Sequence, residues 1–428
     1  MIEKDKGETI KSYHFEFLPL SSPLMKSEEE LQLIIGDYER SLHQLGGERI
    51  NHAGSSHSSL LFLLIATGGT EGQVKELCKK EERKPGSSVV LLAHPNHNSL
   101  PAALESLAWL HQAGINGKII YMEHPEHDSA LHEIRMTVKH AEVWSFFKRA
   151  RIGIVGTPSD WLIASCPNPK VISDKWGLEV IPLVLGNLPK LMEQYSREEI
   201  EPTLNSFVSR AKEVAEASHQ DLENGVRVYL ALKEILKENR LDALTIRCFD
   251  LVVDHQTTGC FALSQLLDEG VIAGCEGDIV STIGMVLSKE LLDEIPWMAN
   301  PAQLCSHENT LWLAHCTVPK TLIDSYKIRS HFESGLGVGI EGHFPQGPVT
   351  LMRLGGSQLE EIWLAEGSIT QSGNSEQLCR TQVKVELERG HVNSLLSNPL
   401  GNHLILVKGH HMDQLQGWWN VFINIDQI

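Results

Sequence analysis

From residue 60 onward, short apolar runs alternate with helical stretches, and this alternation limits the possible folds more than any other feature of the chain. An apolar run over 60–66 leads through a glycine-rich turn into a helical stretch ending near residue 80, and a second apolar run covers 88–93. Apolar strands separated by helices are βαβ units, which build parallel sheets. The pattern continues with a helix over 100–112, a strand near 118–121, a helix over 128–147 and a strand over 151–155. Ala113 and Gly114 supply the stop after the first of these helices. This block reads as a doubly wound domain.

Gly156, Thr157, Pro158 and Ser159 interrupt the alternation, and a second α/β block follows. It contains long helices between 197 and 238, a strand around 243–248 and an apolar helix after Cys275. The last hundred residues change character. Short alternating runs over 338–342, 348–354, 361–365, 382–387 and 403–407 are separated by Gly, Ser and Asn, the signature of a β-rich domain, a small barrel or sandwich. A chain of 428 residues exceeds one ordinary core. The expected division is therefore an N-terminal α/β domain over 1–157, a central α/β domain over 158–308 and a C-terminal β-barrel domain over 309–428.

Charge and cysteine usage narrow the functional classes. A formal charge of -18 opposes a surface that tracks nucleic-acid phosphates, which needs clustered Lys and Arg. The eight cysteines contain no CxxC pair, a pattern that suits reduced thiols in a cytoplasmic protein. The N-terminal stretch has no apolar run after its charges, and no segment approaches eighteen uninterrupted apolar residues, so neither export nor membrane insertion is expected. The expected ligand is a small molecule.

Three groups of residues are candidates for chemistry. The turn Gly68-Gly69-Thr70-Glu71-Gly72 follows a strand and opens a helix, but matches neither phosphate-loop pattern and reads first as a tight βα turn. His94, Asn96, His97, Asn98 and Ser99 lie at the carboxyl end of a strand, the edge where open α/β sheets bind ligands. There His94 and Asn98 can hydrogen-bond sugar hydroxyls, or the stretch is a solvated loop. In Gly274-Cys275-Glu276-Gly277-Asp278-Ile279, two acids stand at the start of an apolar helix. Being two apart they face different sides, so one points at a ligand while the other caps the helix, or both are caps. Among 21 histidines, His315, His331, His403, His410 and His411 concentrate late in the chain, with no HExxH and no close His/Cys quartet.

Together these stretches resemble the L-fucose isomerase family, its shorter branch in particular, and more distantly the L-arabinose isomerases. The resemblance is carried by Leu100-Pro101-Ala102-Ala103-Leu104-Glu105, the CEGDI stretch 275–279, Leu313-Ala314-His315-Cys316-Thr317-Val318-Pro319, His331-Phe332-Glu333-Ser334 and Gly401-Asn402-His403, in family order. It implies two α/β domains and a β-barrel, an oligomer with active sites near subunit interfaces, and a divalent ion (Mn2+, or Mg2+ or Co2+) between the second and third domains. It also implies aldose–ketose isomerisation through an enediol on a fucose-like, arabinose-like or modified sugar. Glu276 and His403 match the family's glutamate and histidine ligands, while Asn300 stands where the family has an aspartate. An amide can coordinate a hard cation but cannot relay a proton. The resemblance thus makes Glu276 ligand and general base, His403 a ligand and Asn300 a neutral ligand. His331 and Glu333 are expected to face the sugar. The missing acid falls to Asp278, Glu308 or a water. The alternative is a sugar-binding or regulatory homologue that has lost turnover.

Overall fold

The computed structural model describes residues 14–51, 60–80 and 88–423. The first thirteen residues, which carry most of the charged N-terminal stretch, lie outside them. The chain divides into two compact units, Met1–Ser145 and Phe146–Ile428.

In the first unit, β1 (Phe15–Leu20), α1 (Glu28–Gln44), β2 (Gly47–Arg49), β3 (Leu60–Ile65), α2 (Glu71–Lys80), β4 (Ser88–Ala93), α3 (Ser99–Gln112), β5 (Asn116–Tyr121) and α4 (Asp128–Phe147) follow one another. The strands form one parallel sheet in the order β2-β1-β3-β4-β5. Every residue of β3 is buried, which is why that strand reads as an unbroken apolar run rather than an alternating one. Ala113 and Gly114 end α3 as expected, Gly114 in the left-handed region.

The second unit opens with β6 (Arg151–Val155), α5 (Pro169–Trp176), β7 (Glu179–Leu183), α6 (Leu188–Met192), α7 (Arg197–Arg210), β8 (Glu213–Val214), α8 (His219–Glu238), β9 (Ala243–Ile246), α9 (Cys248–His255), α10 (Cys260–Asp268), β10 (Ile272–Gly274) and α11 (Ile279–Leu292). A four-stranded parallel sheet runs β10-β9-β6-β7. The strand over 151–155, read from sequence as the close of the first block, is therefore part of the second unit's sheet. Periodicity marks a strand but does not say which sheet receives it.

The rest of the chain is β11 (Trp297–Cys305), β12 (Thr310–His315), β13 (Ser325–Arg329), β14 (Gly339–His343), β15 (Gly347–Gly355), β16 (Glu361–Ser372), β17 (Thr381–Arg389), α12 (Asn393–Ser397), β18 (Leu404–Lys408) and α13 (Met412–Phe422). Six of these strands close an antiparallel barrel in the order β11-β12-β17-β16-β15-β18. The barrel thus starts at Trp297, inside the segment assigned by sequence to the central domain. The run over 338–342 is not a barrel strand: as β14 it joins β13 and the short β8 in a separate three-stranded sheet. The architecture is mixed α/β, with parallel sheets and a closed six-stranded antiparallel β-barrel. Among the described residues no helix is long and apolar enough to cross a membrane.

Helix α11 joins sheet to barrel. Twelve of its fourteen residues are buried, and a Cβ on Gly284 would run into Cδ1 of Ile405 on β18, so the glycine lets the helix lie directly on the barrel. Its N-cap, Asp278, accepts from the backbone N–H of Ser281 at 2.8 Å and takes a fully buried ion pair from Arg353 of β15 at 3.2 Å. Arg353 also donates to Ser281 Oγ, to the Leu400 carbonyl at 3.2 Å and to Ser165 Oγ at 2.5 Å. Removing one partner of a buried pair strands the other's charge. Arg353→Ala is expected to destabilise the fold by about 3–5 kcal/mol, measured by denaturant unfolding, whereas a surface change such as Lys384→Ala should shift it by only about 0.5 kcal/mol or less.

Candidate active site

The turn between β10 and α11 is unusual before any ligand is considered. Glu276 has φ +61° and Gly277 +72°. A left-handed glutamate is uncommon and costs of order 1 kcal/mol or more. Backbone bonds hold it there: Ser159 N–H donates to the Glu276 carbonyl at 2.9 Å, and Gly277 N–H to that of Ile246 at 2.9 Å. The Glu276 carboxylate lies against Trp161 and His403, and of the two acids Asp278 is thus the cap.

Histidine 403, the residue before β18, meets this turn. Its Nδ1 lies 2.9 Å from Asp278 Oδ2, and its Nε2 lies 3.6 Å from Glu276 Oε1. Burial raises the Asp278 carboxyl, but Arg353 and His403 more than offset this and hold it well below the usual range. It is therefore an acceptor only, so Nδ1 of His403 carries a proton and Nε2 is the nitrogen left to bind something else. Nε2 is buried and has no hydrogen-bond partner, the 3.6 Å gap to Glu276 being too long for one. Burial alone would lower the His403 pKa, but Asp278 and Glu276 outweigh it and hold it up at about 9. For Glu276, burial raises the pKa, while His403 and the indole N–H of Trp161, 2.6 Å from Oε2, bring it below the ordinary value.

Ligand atoms of Glu276, His315 and His403 all lie within 4.8 Å of one another. The two imidazoles are not equivalent. His315, at the end of β12, accepts the Thr317 N–H on Nδ1 at 3.2 Å, and burial pushes its pKa down to about 4. A neutral ring with an occupied Nδ1 lone pair carries its proton on Nε2, which makes it a donor, whereas His403 presents a bare Nε2 once that nitrogen is deprotonated. Asn300 pairs with Ala314 across β11 and β12, which puts it beside His315.

A pocket with a cavity of about 40 Å³ brings Glu276, Asn300, His315, His331 and Glu333 together with Phe249 and Thr258. A void of that size accepts a cation with part of its hydration shell. The donor set fits a divalent ion: a carboxylate held ionised, an oriented imidazole with an orphaned nitrogen, and an amide oxygen.

The expectations for His94, Asp278 and Glu308 need correction. His94 is buried in the first unit, with Nε2 on the Ala66 carbonyl at 3.1 Å, Nδ1 accepting from Asn96 N–H and the ring stacked on Tyr38. Its polar atoms are used internally and none is left for a sugar. Asn98 lines a separate cavity of about 490 Å³ in the first unit, formed by Thr67, Gly68, Gly69, Glu71, His97, Pro101 and Ala102. Asp278, fully buried between Arg353 and His403, cannot serve as an acid, and Glu308 is paired with Lys384 at 2.9 Å on the surface. Trp161 gave no sequence signal. It lies 115 positions from the glutamate it bonds, in a segment read only as a break between domains.

Comparison with known proteins gives a consistent picture. Residues 168–291 match the L-arabinose isomerase central domain. The chain is 23% identical over 229 residues to a sulfoquinovose isomerase of Clostridium sp. (strain MSTE9), covering 51% of this chain and 49% of that protein. It is 28% identical over 131 residues to one from Alkalicoccus urumqiensis, covering 29% and 30%, and 30% identical over 87 residues to one from Priestia megaterium, covering 20% of each. The aligned stretch thus spans about half the length of the first of these relatives and less of the others. The chain is similar to sugar isomerases, most clearly through the α/β segment that ends in α11.

Proposed function

We propose that the pocket of the second unit is the active site of a divalent-metal-dependent aldose–ketose isomerase, with Glu276, His403 and Asn300 as metal ligands. The observation that carries this reading is His403: Nδ1–H is tied to a buried carboxylate, and the orphaned Nε2 faces Glu276. A bound Mn2+, or Mg2+ or Co2+ in its place, would polarise the sugar oxygens as a Lewis acid and orient the open chain.

The residues of the chain account for the protons. Isomerisation removes the proton on C2 of the open-chain aldose, gives an enediol and returns a proton to C1, leaving the carbonyl at C2. Glu276, ionised and held by Trp161, is the acceptor and donor for the carbon-bound proton. The oxygen-bound protons need a second group, which Asn300 cannot provide. Glu333 lines the same pocket and takes that role, with His315 as a neutral donor to a sugar hydroxyl. The similarity to sulfoquinovose isomerases makes a sulfonated hexose the first substrate to try, followed by fucose, arabinose and related aldoses. Asn300 favours a second reading, a sugar-binding homologue without turnover.

The test is an aldose panel assayed with and without added Mn2+. Turnover that depends on metal is expected, with Glu276→Gln and Glu333→Gln each lowering kcat about 100-fold or more. Sugar binding without turnover, gained only on Asn300→Asp, would establish the second reading instead.

The raised pKa of His403 sets a pH dependence. A metal must displace the proton on Nε2, so apparent Mn2+ affinity should rise up to about tenfold per pH unit between pH 6.5 and 9 and level off above. About one proton should be released per ion at pH 7 to 8. Titration calorimetry in buffers of different ionisation enthalpy measures both. The metal-free protein should show the opposite trend. A histidine whose pKa rises from 6.5 to about 9 on folding contributes stability fully present below pH 6.5 and lost as pH climbs through 9.

A further inference from the structure

Five of the eight cysteines, scattered in sequence over 248–379, line the pocket that holds Glu276: Cys248, Cys260, Cys275, Cys316 and Cys379. Nothing in the isomerase chemistry uses a thiol. Cys316 and Cys379 interact with one another, and Cys248 Sγ lies 3.1 Å from Cys275 Sγ. The pairing follows from topology. Cys248 opens α9 just after β9, Cys275 follows β10, and β9 and β10 are hydrogen-bonded neighbours in register from Ala243 and Ile272. Both thiols are free and buried, and both line the pocket.

We infer that Cys248 and Cys275 form an oxidisable dithiol, a modification site that a small peroxide entering the pocket converts to a disulfide. The sulfurs need to approach by only about 1 Å to reach a bonded separation of about 2.05 Å. The step balances with one peroxide. The Cys248 sulfur, at the first turn of α9 where helix N–H groups favour negative charge, attacks one peroxide oxygen and releases water, leaving a sulfenic acid. The Cys275 sulfur then displaces the hydroxyl as a second water: two thiols and hydrogen peroxide give one disulfide and two waters. Cys275 directly precedes Glu276, whose left-handed backbone tolerates little displacement. Closing the bond pulls on that turn and disturbs the placement of the carboxylate against His403 Nε2. The consequence for metal binding rests on the function proposed above, whereas the disulfide itself does not.

The experiment exposes the full-length, metal-free protein to hydrogen peroxide, blocks remaining thiols and maps unreduced peptides by mass spectrometry. The expected product is a single crosslinked species joining the peptides of Cys248 and Cys275, two hydrogens lighter and reversed by dithiothreitol. Cys248→Ser should eliminate it. Oxidised wild type should bind Mn2+ at least about tenfold more weakly than the reduced protein, while peroxide-treated Cys248→Ser keeps its untreated affinity. If Cys248 and Cys275 remain alkylatable while other thiols react, or if the crosslink joins Cys316 to Cys379, the inference is overturned. The map requires no variant to fold and no sugar to turn over. A crosslink with no metal binding in either state would sustain the dithiol and count against the proposed function.

Discussion

The carboxylate of Asp278 is the interaction on which the rest of the second unit depends. It caps the helix that joins the parallel sheet to the barrel, neutralises Arg353 buried on β15, and fixes the proton on His403. A buried carboxylate is tolerable only when fully hydrogen-bonded and paired. Each of its partners comes from a different part of the chain: a helix, a barrel strand and the loop before another strand. Satisfying one charge therefore assembles three elements, and the geometry that stabilises the junction also orients the imidazole beside Glu276.

Much of this was legible in the sequence, and the limits have physical reasons. The βαβ alternation from residue 60 gave the parallel sheets because period and length are local properties, as in the fully apolar β3. Sheet membership is not local, and so the strand Arg151–Val155 was placed with the wrong neighbours. The β-rich end was recognisable from its alternating runs, but whether a run enters the barrel or the small sheet of β13 and β14 depends on which strand it pairs with, which alternation does not encode.

The candidate site shows the same division. Spacing alone indicated that Glu276 and Asp278 point in different directions, with one or both as caps, and Asp278 is the one that caps α11. The distinction between His403 and His315 was not readable in this way, because it rests on which ring nitrogen each neighbour occupies, Asp278 in one case and the Thr317 amide in the other. His94 misled for the converse reason. A histidine at the carboxyl end of a strand looks like a ligand-binding group until its partners, Ala66, Asn96 and Tyr38, are seen to occupy it. The cysteines looked unrelated because their clustering exists only in three dimensions.

Barrel closure also bears on where another strand could add to this chain. A closed sheet has no unpaired edge, so the barrel cannot recruit a strand from another molecule. One edge of the second unit's parallel sheet is β7, where Pro182 removes one of the N–H groups that an incoming strand would need. Edge-to-edge growth is thus discouraged at the barrel and at β7.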